Sequence, residues 1–206
     1  MTNGIRNLLL LVLIVLTQKG LAQPWRKEAQ NFRNELEKAY RDSAHSPLKG
    51  EALNHFPGHD FFRLKKAYCL NARFVPTPGE TPFDMMTSSG KTKRFVKYGE
   101  LHFRLQNQNH QLAAYRRLAG PNQDEPAPDL FVPFKDLSCG LESYGGGRYL
   151  DLPLPEGDQV TLDFNRCYNP YCAYSTGWNC PIPPMENHLN IKVLAGIKNP
   201  KSTSHQ

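Results

Sequence analysis

The sequence lacks an apolar run long enough to cross a bilayer, which takes about 20 residues. Its longest run, residues 8–16, contains nine. Arg6 precedes this run and the small residues Gly20 and Ala22 follow it, which is the order typical of a secretory signal peptide. We predict cleavage after Ala22, a mature chain that begins at Gln23 without a transmembrane segment, and a periplasmic or secreted bacterial location. An uncleaved membrane anchor is the alternative.

The chain also lacks a strong excess of one charge. Lysine and arginine number 25 against 19 aspartates and glutamates, and loss of residues 1–22 would leave a net charge of +4. No stripe of basic residues with interleaved aromatic residues occurs, although a nucleic-acid surface requires one. We therefore expect no nucleic-acid partner. The composition defines neither a ligand nor an oligomeric state.

Three common motifs of catalysis and metal binding are missing as well. There is no G-x-S-x-G of a serine hydrolase, no H-E-x-x-H of a zinc protease and no C-x-x-C of a redox or zinc site. The cofactor is therefore unknown, and it is uncertain from the sequence whether the protein is an enzyme.

Cysteine is present in an odd number. The five are Cys69, Cys139, Cys167, Cys172 and Cys180, so at least one thiol is free or pairs between chains. Cys172 and Cys180 lie eight positions apart. Either a buried thiol pair or a disulfide fits this spacing, and a disulfide would stabilise an exported domain by about 2–3 kcal/mol.

The first element of the mature chain is predicted to be a helix. The mature chain of about 184 residues has the length of one domain with a hydrophobic core. Apolar residues recur at steps of three and four from Trp25 to Tyr40, which predicts an amphipathic helix over residues 25–43. Ser46-Pro47 provides a stop just beyond it.

Beyond residue 60 the period of the apolar residues changes to two. Leu101, Phe103 and Leu105 alternate with polar residues, as do the apolar residues of 150–154 and 160–164. This alternation predicts antiparallel strands with one buried face. Further strands are predicted near 62–75, 92–98, 111–117, 130–134 and 189–195, and residues 119–129, with three prolines and three acids, are predicted to form an exposed loop.

These elements predict a mainly β fold. We expect a single globular domain over residues 23–206, in which an antiparallel β-barrel or sandwich-like body (60–197) follows one N-terminal amphipathic helix. If the body is a closed barrel, polar strand residues such as Asp163 and Asn165 could line its lumen. The alternative, in a barrel or a sandwich, is that they face solvent.

A triple glycine precedes one of the predicted strands, in ESYGGGRYLDL (142–152). Glycine permits positive φ, and successive amides in such a turn can form an anion-binding nest with Arg148 as a charged partner. The alternative is a tight turn or bulge that enters the strand, with Arg148 paired to an acidic residue.

Two further unusual segments follow, DFNRCYNPYCAY (163–174) and CPIPPMENHL (180–189). Their prolines predict a rigid irregular loop over 170–188, whose polar side chains either satisfy backbone groups or bind a ligand. Cys172, Cys180 and His188 could bind zinc, although no fourth ligand is evident. Cys172 could also be a nucleophile with His188 as its base.

These three segments, in this order, resemble an uncharacterised bacterial family, domain of unknown function 1684. The resemblance extends upstream to residues 46–48, 56–57 and 99–103 and covers most of the mature chain. The family has no assigned activity, cofactor or catalytic residues, so the resemblance does not indicate any for this chain. The chain departs from the family pattern at Cys167, where a small residue is usual, and at Ile197, where glutamate is usual.

The leading functional hypothesis is a non-enzymatic or ligand-binding β domain of the cell envelope. Its polar centre would combine the charged and hydrogen-bonding side chains of the three segments, since binding sites usually add a few converging polar groups to an apolar pocket. These candidates are Arg148, Asp151, Asp163, Asn165, Tyr168, Asn169, Tyr171 and Glu186.

Two other hypotheses come from different functional classes. The first is a hydrolase-like enzyme that uses Glu186 or Asp163 as general base, or Cys172 as nucleophile. The second is a structural or protein-interaction module.

Overall fold

In the computed structural model, which describes residues 23–119 and 129–201, the chain begins with the predicted helix. Helix α1 (Pro24–Arg41) starts at a proline, which suits the first helical turn because that position has no partner for a backbone N–H. Ala29 and Tyr40 are buried against the body, so the apolar stripe faces inward as predicted. A second helix, α2 (Glu51–Asn54), is a single turn. Within the described ranges, no helix combines the length and apolar character needed to span a membrane.

The predicted signal peptide at residues 1–22 and most of the predicted loop at 119–129 lie outside the described residues.

In the part of the chain that the structure describes, seven strands form one antiparallel sheet. They are β1 (Cys69–Pro76), β2 (Phe83–Met86), β3 (Thr92–Leu105), β4 (Gln108–Arg117), β5 (Asp129–Phe134), β6 (Arg148–Pro153) and β7 (Gln159–Asp163). Their hydrogen-bonded order is β6-β5-β4-β3-β1-β7, and β2 pairs with β3 beside this path. The prediction of a mainly β antiparallel fold with an N-terminal helix is confirmed.

The sheet curls into a half-barrel. No ladder joins the outer strands β6 and β7 within the described part of the chain. Five residues past β7, however, Tyr168 exchanges two backbone hydrogen bonds with Tyr149 on β6, with N···O distances of 2.9 and 3.0 Å. The segment that follows β7 therefore reaches the edge strand β6 at this pair of residues.

A β-bulge in β3 moves its apolar side chains from one face of the sheet to the other. The register shifts between Lys97 and Gly99, so one extra residue is inserted and the direction of the following side chains is reversed. Leu101 lies in the main core, whereas Phe95 lies in a second apolar cluster. The strands predicted at 92–98 and 101–105 are therefore one strand, interrupted by the bulge.

The main core lies on the concave face and is covered by residues 189–195. Every second side chain of that segment is buried in the core, yet the prediction of a strand there is wrong. At its start, two backbone hydrogen bonds join it to residues 135–137: the amide of Leu189 donates to the carbonyl of Lys135 at 2.8 Å, and the carbonyl of Ile191 accepts from the amide of Leu137 at 2.9 Å. Farther along, its amides bond to side chains: the amide of Val193 donates to Asp136 Oδ1 at 3.1 Å, and the amide of Leu194 donates to the Tyr68 hydroxyl at 3.3 Å. The period of two in this segment correctly predicted which side chains are buried. It wrongly predicted that the backbone pairs with a neighbouring strand.

Candidate functional site

An open cleft lies on the second face of the sheet, opposite the main core. Side chains of β3 to β6 form its floor, and the irregular segment between Tyr168 and Pro181 forms its wall. Its volume is about 690 Å³, which lies within the range of about 300–1,000 Å³ usual for small-molecule sites. The β-bulge is a local cause of this cleft, because it directs Phe95 away from the main core.

Aromatic side chains dominate the lining. The six are Phe95, Phe131, Tyr149, Tyr168, Tyr171 and Trp178. The ring centroids of Phe131 and Tyr149 lie 4.7 Å apart and those of Tyr171 and Trp178 4.8 Å apart, both pairs edge to face. Tyr171 and Trp178 remain 42% and 37% exposed. Their surfaces at the rim are therefore available to a flat apolar ligand.

Four charged side chains line the same cleft in two groups of like charge. Lys93 on β3 and Arg117 on β4 form the positive group, and Asp129 on β5 and Asp151 on β6 form the negative group. Burial and the charge of Arg117 hold the pKa of Lys93 below its ordinary value. Asp151 is accessible to solvent, but its pKa is raised because the surrounding protein removes part of its hydration and because Asp129 carries a like charge. A hydrogen bond from Tyr168 opposes this shift and lowers the pKa.

Tyr168 joins the wall of the cleft to its floor. Its hydroxyl donates to Asp151 Oδ2 at 2.6 Å, while its backbone bridges Tyr149 on the same strand. The Tyr149 hydroxyl in turn donates to the carbonyl of Pro181 at 2.5 Å, and the amide of Ile182 donates to the carbonyl of Met86 at 2.8 Å. The irregular wall is thus fastened to the sheet at several points.

Cys172 and Cys180 lie together as free thiols, and Cys180 belongs to the cleft lining. The amide of Cys172 donates to Sγ of Cys180 at 3.3 Å. Burial and a hydrogen bond with Cys172 raise the pKa of Cys180 to about 11, so this thiol is protonated at neutral pH. The two cysteines are adjacent, as the candidate disulfide requires, but no bond joins them in this structure.

His188 is not brought to the two thiols. It is exposed, its Nε2 lies 3.2 Å from the carbonyl of Pro183, and its backbone bridges to Lys135. Across residues 23–119 and 129–201, no three His, Cys, Asp or Glu side chains are grouped so that they could hold a metal ion. Cys172, Cys180 and His188 therefore do not form the zinc site considered from the sequence.

Arg148 lies outside the cleft, in the interior. Its side chain is fully buried and its Nη2 lies 2.6 Å from Oδ2 of Asp136, which is also fully buried. The guanidinium also donates to the carbonyls of Val193, Ala195 and Ile197 at 2.8, 2.6 and 3.2 Å. Arg148 thus anchors the segment that covers the main core. Its pairing with Asp136 agrees with the alternative interpretation of the glycine motif, a tight turn in which Arg148 is paired to an acidic residue.

The triple glycine forms the tight turn that leads into β6. Gly147 has a φ of +93°, and a Cβ there would lie 2.7 Å from the carbonyl oxygen of Phe134 and 2.8 Å from Cγ of Pro183. Only glycine fits this close approach without displacing its neighbours. The contact also shows that the glycine segment and the proline-rich loop meet in space.

Three more predicted site residues support the backbone. Asp163 is buried, which raises its pKa, and it accepts from the amide and the side chain of Asn165 at 3.0 and 2.7 Å. The Asn165 side chain also pairs with both backbone groups of Lys65 at 3.0 Å. Asn169 is buried and donates to the carbonyl of Lys198 at 2.9 Å. None of the three lines the cleft.

Glu186 also lies outside the cleft lining. It accepts a hydrogen bond from the Tyr115 hydroxyl at 2.7 Å and from Lys97 Nζ at 2.9 Å. Of the eight predicted polar residues, the cleft therefore contains three, namely Asp151, Tyr168 and Tyr171.

The side chain of Asn187, the residue after Glu186, supplies hydrogen bonds between β4 and β5 where the two strands do not pair directly. Among the described residues, β4 and β5 pair only at Tyr115 and Phe131, and Pro133 on β5 has no N–H to continue a ladder. The buried side chain of Asn187 accepts from the Ala113 amide at 2.7 Å and donates to the carbonyls of Ala113 and Pro133 at 2.9 and 2.7 Å. It therefore joins the two strands in place of a ladder.

The sequence reasoning missed most of the cleft. Among its aromatic and basic residues, the missed ones are Lys93, Phe95, Arg117, Phe131, Tyr149 and Trp178. All but Trp178 belong to predicted strands, where they occupy the face opposite the main core. Aromatic residues on that face were the available signal, because a purely solvated face would be polar throughout.

Comparison with known proteins identifies a family without an activity. The family described as Protein of unknown function (DUF1684) matches residues 54–198. The solution NMR structure of an uncharacterised protein from Haloarcula marismortui is similar to this chain, with a TM-score of 0.67 and 34% sequence identity over 88% of this chain and 96% of that one. No curated protein shows a significant match.

Proposed function

Since the chain belongs to DUF1684, a family of proteins of unknown function, we propose a function from the cleft itself: non-enzymatic binding of a small organic ligand with a flat, apolar body. The observation that carries this proposal is the cleft of about 690 Å³ whose lining contains six aromatic side chains. A pocket with this volume and lining can bury most of a small ligand, and its few polar groups can fix the orientation of that ligand.

The hydrolase hypothesis has less support from the contacts. Asp163 is buried and held by Asn165, and Glu186 is bonded to Tyr115 and Lys97 outside the cleft lining. A general base must reach the proton that it removes from the substrate. Neither carboxylate reaches the cleft in this arrangement.

The rim aromatic residues provide the test of ligand binding. We expect the variant Tyr171→Ala/Trp178→Ala to bind N-phenyl-1-naphthylamine, a neutral and largely planar dye, about tenfold more weakly than the wild type, because it loses two aromatic contacts of about 0.5–1.5 kcal/mol each. Dye fluorescence in a titration measures the affinity.

The matched control is Leu137→Ala/Leu141→Ala, which removes two exposed apolar side chains that do not line the cleft. It should bind the dye as the wild type does. Equal affinity in the wild type and the Tyr171/Trp178 variant, or no binding to the wild type, would contradict the proposal.

We further propose that the protein is exported to the periplasm or secreted, because Arg6, the apolar run at 8–16 and the small residues Gly20 and Ala22 form a signal-peptide pattern. The oxidising conditions outside the cytoplasm would then allow Cys172 and Cys180 to form a disulfide. The contact between the Cys172 amide and Cys180 Sγ supports this pairing.

Full-length protein expressed in a bacterium with a periplasm tests both parts. We expect the periplasmic product to begin at Gln23 and to gain the mass of two hydrogen atoms on reduction, and we expect Cys172→Ser to abolish that gain. A product that retains residues 1–22 would contradict export. Alkylation of both thiols in unreduced periplasmic protein would contradict the disulfide alone.

A further inference from the structure

We propose that the ligand of the cleft is an organic anion, whose carboxylate, phosphate or sulfonate group is held by Lys93 and Arg117. The inference rests on the proposed function, since it names the chemical class of the molecule that the aromatic cleft binds.

The sheet register places the two cations beside each other on the cleft floor. Arg117 on β4 is directly opposite Phe95 on β3, and Lys93 lies two residues before Phe95 on the same strand. Residues two apart on a strand point to the same face, and both cations line the cleft. Their head groups can therefore approach one anion from adjacent strands.

Among the described residues, no carboxylate forms an ion pair with either cation. Within the described ranges, no Asp or Glu oxygen lies within the 4.0 Å of an ion pair from Lys93 or Arg117. Basic residues near them on β3 are paired: Arg94 lies 3.5 Å from Asp84, and Lys97 lies 2.8 Å from Glu100. The two cations of the cleft thus differ from Arg94 and Lys97, their paired neighbours on β3.

The acids of the cleft do not supply a counter-charge to these two cations. Asp151 lies on β6, two strands from Arg117, which corresponds to about 10 Å at the usual strand spacing, and it already accepts a hydrogen bond from Tyr168. Asp129 is exposed and forms no ion pair with Arg117 in the described structure. A bound anion would therefore be the close partner of both cations.

The energetics of the pair favour an anionic ligand. Two like charges on the floor of an apolar cleft lose hydration and repel each other, and the lowered pKa of Lys93 has both causes. An anion relieves both costs, and arginine suits the flat oxygen pair of a carboxylate or phosphate. The aromatic side chains Phe131 and Tyr149, on the neighbouring strands of the floor, would then contact the apolar body.

Two related dyes separate the charge from the apolar body. The first is 8-anilinonaphthalene-1-sulfonate, which carries a sulfonate, and the second is N-phenyl-1-naphthylamine, which has the same ring system without it. We expect Lys93→Gln and Arg117→Gln each to weaken binding of the sulfonate dye about tenfold, the usual effect of one lost charged hydrogen bond. Binding of the neutral dye should stay within about twofold of the wild type.

Two control variants test whether position and charge matter. Arg94→Gln removes the same charge from the neighbouring residue of β3, whose side chain points to the other side, and should leave both affinities unchanged. Lys93→Arg keeps the charge and should retain binding of the sulfonate dye. Thermal melting of each variant, expected to match the wild type, verifies that the fold is intact.

The outcomes distinguish this inference from the function on which it rests. If neither dye binds the wild-type protein, the proposed function itself fails. If both dyes bind and the Lys93 and Arg117 variants affect them equally, only the anion site is overturned. As a further arm, naphthalene-1-carboxylate and 1-naphthyl phosphate should displace the sulfonate dye more effectively than neutral 1-naphthol, and equal displacement by 1-naphthol would also overturn the anion site.

Discussion

Arg148→Met is expected to lower the free energy of unfolding by about 3–5 kcal/mol, the usual cost of removing one partner from a buried ion pair. The substitution leaves the Asp136 carboxylate, which is fully buried, without its 2.6 Å partner. It also removes the donors to the carbonyls of Val193, Ala195 and Ile197. Urea-induced unfolding, followed by circular dichroism, measures the loss.

Two further variants identify the source of this loss. In Arg148→Met/Asp136→Asn, the unpaired buried charge is gone while the side-chain oxygen that accepts from Val193 is retained, so part of the lost stability should return. Lys192→Gln breaks an ion pair with Glu142 in which both side chains are more than a third exposed, and it should cost less than about 1 kcal/mol. If Arg148→Met costs no more than Lys192→Gln, the anchoring role is wrong.

Asn187→Ala is expected to cost about 3 kcal/mol or more, although the side chain is small. It leaves unpaired the amide and carbonyl of Ala113 and the carbonyl of Pro133, which the Asn187 side chain satisfies at 2.7–2.9 Å. Each buried polar group left without a partner costs about 1–3 kcal/mol. Denaturant unfolding reports the total, and amide hydrogen exchange at Ala113 should accelerate.

A neighbouring asparagine provides the control. Asn190 is exposed on the same segment, so Asn190→Ala should change stability by less than about 0.5 kcal/mol. Similar losses for the two alanine variants would show that Asn187 does not bridge β4 and β5 in solution.

The secondary structure was largely predictable from sequence, because the elements bury one face and their apolar period records it. The helix that contains Ala29 and Tyr40 and the strand that contains Leu101 and Phe103 are both of this kind. The segment at 189–195 shows the limit of that signal. Its side chains alternate like those of a strand, but several of its backbone partners are distant side chains, such as Asp136, that no local pattern reveals.

The candidate site was less predictable, because a polar side chain that supports the backbone resembles one that binds a ligand. Arg148 and Asn165 are in conspicuous motifs, and their hydrogen bonds go to carbonyls, amides and buried acids of the fold. Lys93 and Arg117 are in unremarkable strands. Their position in the cleft depends on the β-bulge and on the loop that folds over the sheet, which are both tertiary features.

The anchoring of Arg148 also constrains when the chain can fold during its synthesis. Three of its carbonyl partners belong to Val193, Ala195 and Ile197, so its guanidinium cannot be buried at low cost until those residues have left the ribosome. A nascent chain that ends after β7 would have to keep this charge hydrated and its concave face open. The concave interior can therefore close only once residues 193–197 are available to Arg148, in whichever compartment the chain folds.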